Sequence, residues 1–322
     1  MRFSVLRLRA FTSVGLLLVA LAAVVGTRLI AQAPAAAPPV VRTDIAGDWA
    51  VVVNEDQPHR APGAELGDYT GLPLNDADRQ KAQAWNATIL SQPERQTQSH
   101  PVQYLMRGPG PNLRILKILD PVTQTLVAYT VAGGFGRADR VIWMDGRPHP
   151  SDYSEHTWDG FSTGVWENGQ LVVTTTHMKQ GVIQRNGAAT TQYGKMTEHF
   201  FRHGLYMTSF FSVDDPIFFE EPMVRTQNWM WDPNQFQDFA IPFESVDELA
   251  DKPLGWVPHW PLGVLQKEFA ETHNIPFKAT QGGSASLLPE YMDTIKQLRA
   301  EEAAAKAAAE AAAAAKKPAG KK

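Results

Sequence analysis

Between residues 102 and 231 the chain breaks into short apolar runs separated by tight-turn signals, and that pattern leaves few architectures open. The runs cover 102–106, 113–119, 125–131, 140–144, 164–166, 170–177, 192–202, 205–213 and 223–231, and Val, Ile, Thr and aromatic residues dominate them, as strands prefer. Several junctions carry hairpin chemistry: Met144-Asp-Gly-Arg147, Glu167-Asn-Gly-Gln170 and Arg202-His-Gly-Leu205. Asp-Gly and Asn-Gly favour two-residue hairpins because both residues adopt positive φ at little cost. Successive hairpins make an antiparallel up-and-down meander, which closes into a barrel or folds into a sandwich. There is no cysteine. Disulfides, thiolate metal sites and a cysteine nucleophile are therefore excluded, and stability must come from an ordinary core.

The flanking segments set the organisation. Arg2, Arg7 and Arg9 precede an apolar run over 14–26 and the small residues Ala31 and Ala33. A basic start, a short apolar centre and a small-residue cleavage point describe a secretory signal over 1–33. The apolar run is shorter than the ~20 residues of a spanning helix. The protein is thus expected to be exported, periplasmic or extracellular, touching a membrane only through this segment if it stays uncleaved. A Pro/Ala linker follows over 34–43, then a β domain over 44–286 with a helical insertion near 75–90. Asn75 is placed as the helix N-cap, with Asp76 and Asp78 in the first turn. Residues 256–261, Trp-Val-Pro-His-Trp-Pro, read as a loop packed over the body. Residues 287–322 form an Ala/Lys-rich helix with a disordered end. Asn86-Ala-Thr88 fits a glycosylation sequon. The net charge of -4, with no basic face, argues against a nucleic-acid partner.

Chemistry concentrates in a histidine-rich stretch. Five of the nine histidines lie there: His149, His156, His177, His199 and His203. Histidine titrates near neutrality and is the commonest metal ligand. Strand alternation puts Leu171, Val173, Thr175 and His177 on one face, and Met196, Glu198, Phe200 and Arg202 on another. Thr175, His177, Glu198, Arg202 and Thr208 are expected to line a mixed pocket. For acid/base catalysis the candidates are His156 and His177 beside Glu155, Asp159 or Glu198. For a divalent metal they are His149, His156 and His177, although no His-x-His or His-Glu-x-x-His spacing exists. Against both stands a structural reading in which His149 and His203 are turn residues. Trp158 offers a stacking platform and Arg185 an anion contact. No nucleophile elbow, phosphate loop or dinucleotide fingerprint is present.

Asp145-Gly-Arg-Pro-His149-Pro, Thr157-Trp-Asp-Gly-Phe-Ser-Thr-Gly-Val-Trp166-Glu, Leu171-Val-Val-Thr-Thr, Thr197-Glu-His-Phe and Asp214-Asp-Pro together resemble a family of exported bacterial proteins of unknown function. The segment from Gly71 to Trp85 fits the same pattern, so the resemblance spans about 65–232. It implies export but no settled activity. The family pattern expects cysteine near 91–102, and this chain has none there. Gly47-Asp-Trp49 is similar to the opening of lipocalin-like barrels, where a tryptophan plugs the closed end. The expected fold is mainly β: an antiparallel lipocalin-like barrel with a short N-terminal helix and a C-terminal helical tail. The expected function is binding or processing of a small molecule near the histidine-rich strands. A periplasmic hydrolase, lyase or isomerase and an envelope structural protein are the alternatives.

Overall fold

The computed structural model describes residues 44–52, 64–86, 99–106, 112–133, 140–234, 251–253 and 255–315. The export segment, the Pro/Ala linker, most of the sequon, residues 91–98 and the extreme C-terminus lie outside the described residues. Nine strands close a barrel. They are β1 (Gly47–Val52), β2 (Leu113–Leu119), β3 (Leu126–Gly133), β4 (Arg140–Trp143), β5 (Phe161–Glu167), β6 (Gln170–Thr176), β9 (Lys195–His203), β10 (Tyr206–Asp214) and β11 (Met223–Trp231). Two short strands between β6 and β9, β7 (Gly181–Val182) and β8 (Ala189–Thr190), pair as a separate ribbon. The order around the ring is β1-β11-β10-β9-β6-β5-β4-β3-β2, and β2 pairs with β1 to close it.

The barrel is mixed, which corrects the expectation of an all-antiparallel meander. Directions cannot alternate all the way around a ring with an odd number of strands, so one neighbouring pair must run parallel. That pair is β4/β5, with Ile142 opposite Ser162 and Trp143 opposite Thr163. Parallel neighbours need a crossover of about a dozen residues or more. Here the crossover is 144–160, the segment that carries His149, His156 and Asp159. The Asp145-Gly146 signal therefore opens this crossover and does not make a hairpin. Arg147 instead folds back, chelating Asp145 at 2.6–3.1 Å and stacking 3.4 Å above the Trp143 ring.

The other turn signals act as hairpins. Asn168 and Gly169 both have positive φ between the paired Glu167 and Gln170. At the next hairpin the pair is His203 with Tyr206, one residue later than the sequence signal, and Gly204 takes the positive φ. Most inward positions along the strands are buried and apolar, including Trp49, Leu171, Phe200, Phe211 and Trp229. Trp49 donates from Nε1 to the Ile45 carbonyl at 2.9 Å, and the Arg202 guanidinium lies 5.2 Å from its ring.

Helix α1 (Asp76–Ala84) starts at Asn75, whose side chain accepts from the amides of Ala77 and Asp78. The run at 102–106, expected as a strand, is instead a single helical turn, α2 (Val102–Leu105), entered from Pro101. Proline fixes φ and lacks the N–H that a sheet ladder would use, so it suits a helix start. The 256–261 loop packs on α1 through Trp260 N donating to the Ala84 carbonyl at 2.8 Å. A short helix α3 (Glu268–Thr272) and two 3₁₀ turns lead to α4 (Tyr291–Ala315), which has no buried residue. No described helix is long and apolar enough to cross a membrane.

Candidate functional site

Strands β5 and β6 serve two sites at once, because alternate residues face opposite sides of the barrel wall. Inward, Ser162 and Thr175 are paired in register and buried. They meet Arg140 of β4 and Glu198 of β9. Arg140 donates to Ser162 Oγ at 3.0 Å, to Thr175 Oγ1 at 2.7 Å and to Glu198 Oε1 at 3.1 Å, with a second bond to Glu198 Oε2. Arg140 is 2% exposed and Glu198 0%, so this is a fully desolvated bidentate pair. Thr175 and Glu198 do converge, but around an arginine, which occupies both carboxylate oxygens.

Outward, Thr163 of β5 and Thr176 of β6 project from the wall, and the crossover lies across them. His149 Nε2 is 2.8 Å from Thr163 Oγ1, and its Nδ1 is 2.7 Å from Thr176 Oγ1. Thr176 Oγ1 is also 2.8 Å from His177 Nδ1, and His177 Nε2 is 2.9 Å from the Ser151 carbonyl. With both imidazoles neutral, the direction of every bond follows from one fact: a carbonyl only accepts. His177 Nε2–H donates to Ser151, so His177 Nδ1 accepts from the Thr176 hydroxyl. Thr176 in turn accepts from His149 Nδ1–H, and Thr163 donates to His149 Nε2. Burial holds the His149 imidazole below the usual histidine value, and the proximity of His177 and Lys195, which disfavours a further positive charge there, acts in the same direction.

His149 is thus half-buried and bonded at both nitrogens, unlike a solvated turn residue. The pairing of His177 with Glu198 is overturned. His177 has φ of +57°, so the chain leaves the strand there and alternation no longer places it with Thr175. Its ring turns to the outer side, across the wall from Glu198. His156 joins the outer cluster, its ring centroid 5.2 Å from that of His177. Its Nδ1 lies 3.1 Å from the Met178 carbonyl and must carry the hydrogen. Its Nε2 has no hydrogen-bond partner among the described residues, and in the neutral ring it is an acceptor. The loop is held by Thr157 N to the His177 carbonyl and Lys179 N to the Thr157 carbonyl, both at 2.9 Å. Gly160 is required here: a Cβ would stand 2.7 Å from the Thr176 carbonyl oxygen, and φ is +66°.

The remaining candidates are dispersed. Glu155 is exposed, whereas Trp158 and Asp159 are half-buried in the same loop, and the Lys179 ammonium lies 5.4 Å from the Trp158 ring. Thr208 faces outward and donates to Asn228 Oδ1 at 2.6 Å, so it lines no pocket with Thr175. Arg202 donates to the Asp44 carbonyl at 2.5 Å, with its guanidinium over the Trp49 ring. Arg185 contacts the Tyr104 hydroxyl at 3.4 Å near the β7–β8 ribbon and shares no hydrogen bond with His149, His156 or His177 among the described residues. His199 and His203 lie on the outer face, beside Gln170 and Thr208 respectively. Among the described residues no group of three His, Cys, Asp or Glu side chains is placed to hold a metal ion. In particular, both nitrogens of His149 and of His177 are committed to hydroxyls and a carbonyl.

A polar layer beneath the β7–β8 ribbon carried no sequence signal. Asp78 of α1 is fully buried and accepts from Ala189 N at 3.2 Å. Burial pushes its carboxyl up to about 8, with the nearby Asp215 charge adding to the rise and the Ala189 amide opposing it. Asp215 caps its own turn, accepting from Ile217 N at 3.0 Å and Phe218 N at 3.1 Å. The Tyr69 hydroxyl is also raised, chiefly by burial and then by Asp78 and Asp68. In the same layer the Gln103 side-chain carbonyl and the Gln184 amide nitrogen are buried without a hydrogen-bond partner among the described residues.

No protein-family model matches the chain, and neither does any curated protein or solved structure.

Proposed function

We propose that this is an exported small-molecule binding protein whose ligand docks on the outer wall of the barrel, against the 144–160 crossover. The observation that carries the reading is His156. Its Nδ1 hydrogen is committed to the Met178 carbonyl, and in the neutral ring Nε2 is left as an acceptor on the same loop as the half-buried Trp158. Lys179 adds a cation above the Trp158 ring. A small polar molecule with a hydrogen-bond donor and a flat or acidic part fits these groups. The inward face is an unsuitable alternative, because Phe200, Phe211, Trp229 and the Arg140–Glu198 pair occupy it. The lipocalin-like character of the barrel belongs to the same proposal. Trp49 beneath Arg202 supports it, while the ninth strand and the parallel pair depart from a simple up-and-down barrel.

The test is a small-molecule screen read by imidazole ¹⁵N chemical shifts. Ligands should move the His156 resonances, and their binding should be lost in His156→Ala and kept in His199→Ala. Hits that leave His156 unshifted would overturn the reading. The contact between the His156 and His177 rings favours a second reading, in which His156 Nε2 acts as a general base. Turnover of a bound ligand that disappears in His156→Ala would select it.

A further inference from the structure

A cavity of about 450 Å³ lies at the other end of the chain, between α3 and α4, outside everything assigned above. Its apolar floor comprises Ala270, Ile275, Pro276 and Phe277. Ala270 and Pro276 are buried, and Ile275 and Phe277 are half-buried. Four charges rim it: Lys267 and Glu271 from the α3 side, Arg299 and Glu302 from α4. Arg299 and Glu302 are three residues apart and so share a helix face.

The four charges share a second property: none forms an ion pair among the described residues. Their helix neighbours do find partners, Lys296 with Asp293 at 2.8 Å and Gln297 with Glu301 at 3.0 Å. Arg299 spends one donor on the Asn274 carbonyl at 2.8 Å, which fixes the guanidinium at the rim and leaves its other N–H groups available. The Lys267 ammonium lies 5.9 Å from the Phe277 ring, above the apolar floor.

An anion would meet repulsion from Glu271 and Glu302, and a cation would meet it from Lys267 and Arg299. A ligand carrying both charges satisfies both pairs, and an apolar substituent covers the floor. The volume falls within the ~300–1,000 Å³ of typical ligand sites. From the unpaired rim charges and the apolar floor, we infer that this cavity binds a zwitterion with an apolar side chain, of amino-acid or dipeptide size. Arg299 and Lys267 hold its carboxylate and the two glutamates its ammonium.

Isothermal titration calorimetry with phenylalanine and with Ala-Phe, each alongside its N-acetyl and C-terminal amide derivatives, tests this on the full chain. The expected result is saturable binding of at least one zwitterion that weakens tenfold or more when either end is blocked. Arg299→Ala should give a similar loss, and as an exposed helix position it leaves the fold intact, which far-UV circular dichroism checks. A saturating zwitterion should also leave the His156 imidazole shifts unmoved, which separates this site from the outer-wall site. If Ala-Phe binds in preference to phenylalanine, the natural ligand is a peptide; the reverse order assigns a free amino acid. No saturable binding of either zwitterion, equal binding of the blocked forms, or unchanged binding in Arg299→Ala overturns the proposal.

Discussion

The two faces of the β5–β6 hairpin hold polar groups in opposite ways. Inside, Arg140 and Glu198 are charges removed from water and matched to each other and to two hydroxyls. Outside, His149, Thr176 and His177 form a chain whose hydrogen bonds, with neutral rings, all point one way. The inner cluster has little freedom: removing a partner strands a buried charge. The outer chain is adjustable, since adding one proton to an imidazole reverses or breaks a bond. The same pleat produces both, so two residues adjacent in sequence, Thr175 and Thr176, serve a fixed interior and a titratable exterior. Chemistry belongs on the adjustable side, which is why His156 and not Glu198 is the residue on which the function is proposed.

The largest expected effect comes from a buried acid that lacks the inner cluster's solution. The Lys81 and Arg79 charges offset the burial of Asp78 only in part, and its folded value of about 8 stands far above the unfolded 3.8. The native state therefore keeps a proton that the unfolded chain gives up. Stability from this group is fully present below about pH 4, is lost as pH rises toward about 8, and is level beyond. About four units correspond to a loss on the order of 5 kcal/mol. Urea unfolding from pH 4 to 8.5 should show that slope in the wild type and not in Asp78→Asn, whose amide oxygen can still accept from Ala189. Matching slopes would mean that Asp78 is ionised in the fold.

Next in size is the inner pair. Glu198→Ala should cost about 3–5 kcal/mol in denaturant unfolding, because Arg140 is left buried and uncompensated. The double variant Arg140→Met/Glu198→Leu should cost less than either single change. A larger cost in the double variant would mean the pair is a net source of stability and not mainly a matched necessity.

The outer chain should respond more weakly and with the opposite pH sense. His149→Phe should cost about 1–2 kcal/mol near pH 7.5, as two hydroxyl partnerships are lost. The folded value of His149 lies below the unfolded one, so its neutral network stabilises above pH 6.5 and fades as pH falls through the folded value. The gap between wild type and variant should therefore close on acidification, and a pH-independent gap would show that packing of the ring against Phe161 is what matters. Smallest of all, His156→Ala should change stability by less than about 0.5 kcal/mol while abolishing ligand binding. A large loss of stability there would mark His156 as a strut of the crossover.

Much of the barrel was legible from local chemistry. The runs at 113–119 and 223–231 are strands with those bounds, Asn168-Gly169 turns as its positive-φ preference requires, and Asn75 caps α1. Alternation grouped Thr175 with Leu171 and Val173, and Glu198 with Met196 and Phe200, but which face looks inward was set by the barrel. It failed at His177, where one left-handed residue ended the strand, and at Thr208, whose face alternation alone could not orient. Nothing local marked Arg140 as the partner of Glu198, 58 residues away, or Asp78 as a buried acid beneath Ala189.

The sequence by itself determined the strands at 113–119 and 223–231, the Asn168-Gly169 turn and the Asn75 cap, because those preferences depend on φ, on side-chain branching and on neighbours within a few residues. The tertiary structure decided the rest. Closure of an odd number of strands is a property of the whole ring, and it forces a parallel pair, which falls at β4/β5. The crossover that follows lays His149 against Thr163 and Thr176 and brings His156 beside His177. The histidines were visible in the sequence, but the side of the wall they occupy was set only when the barrel closed.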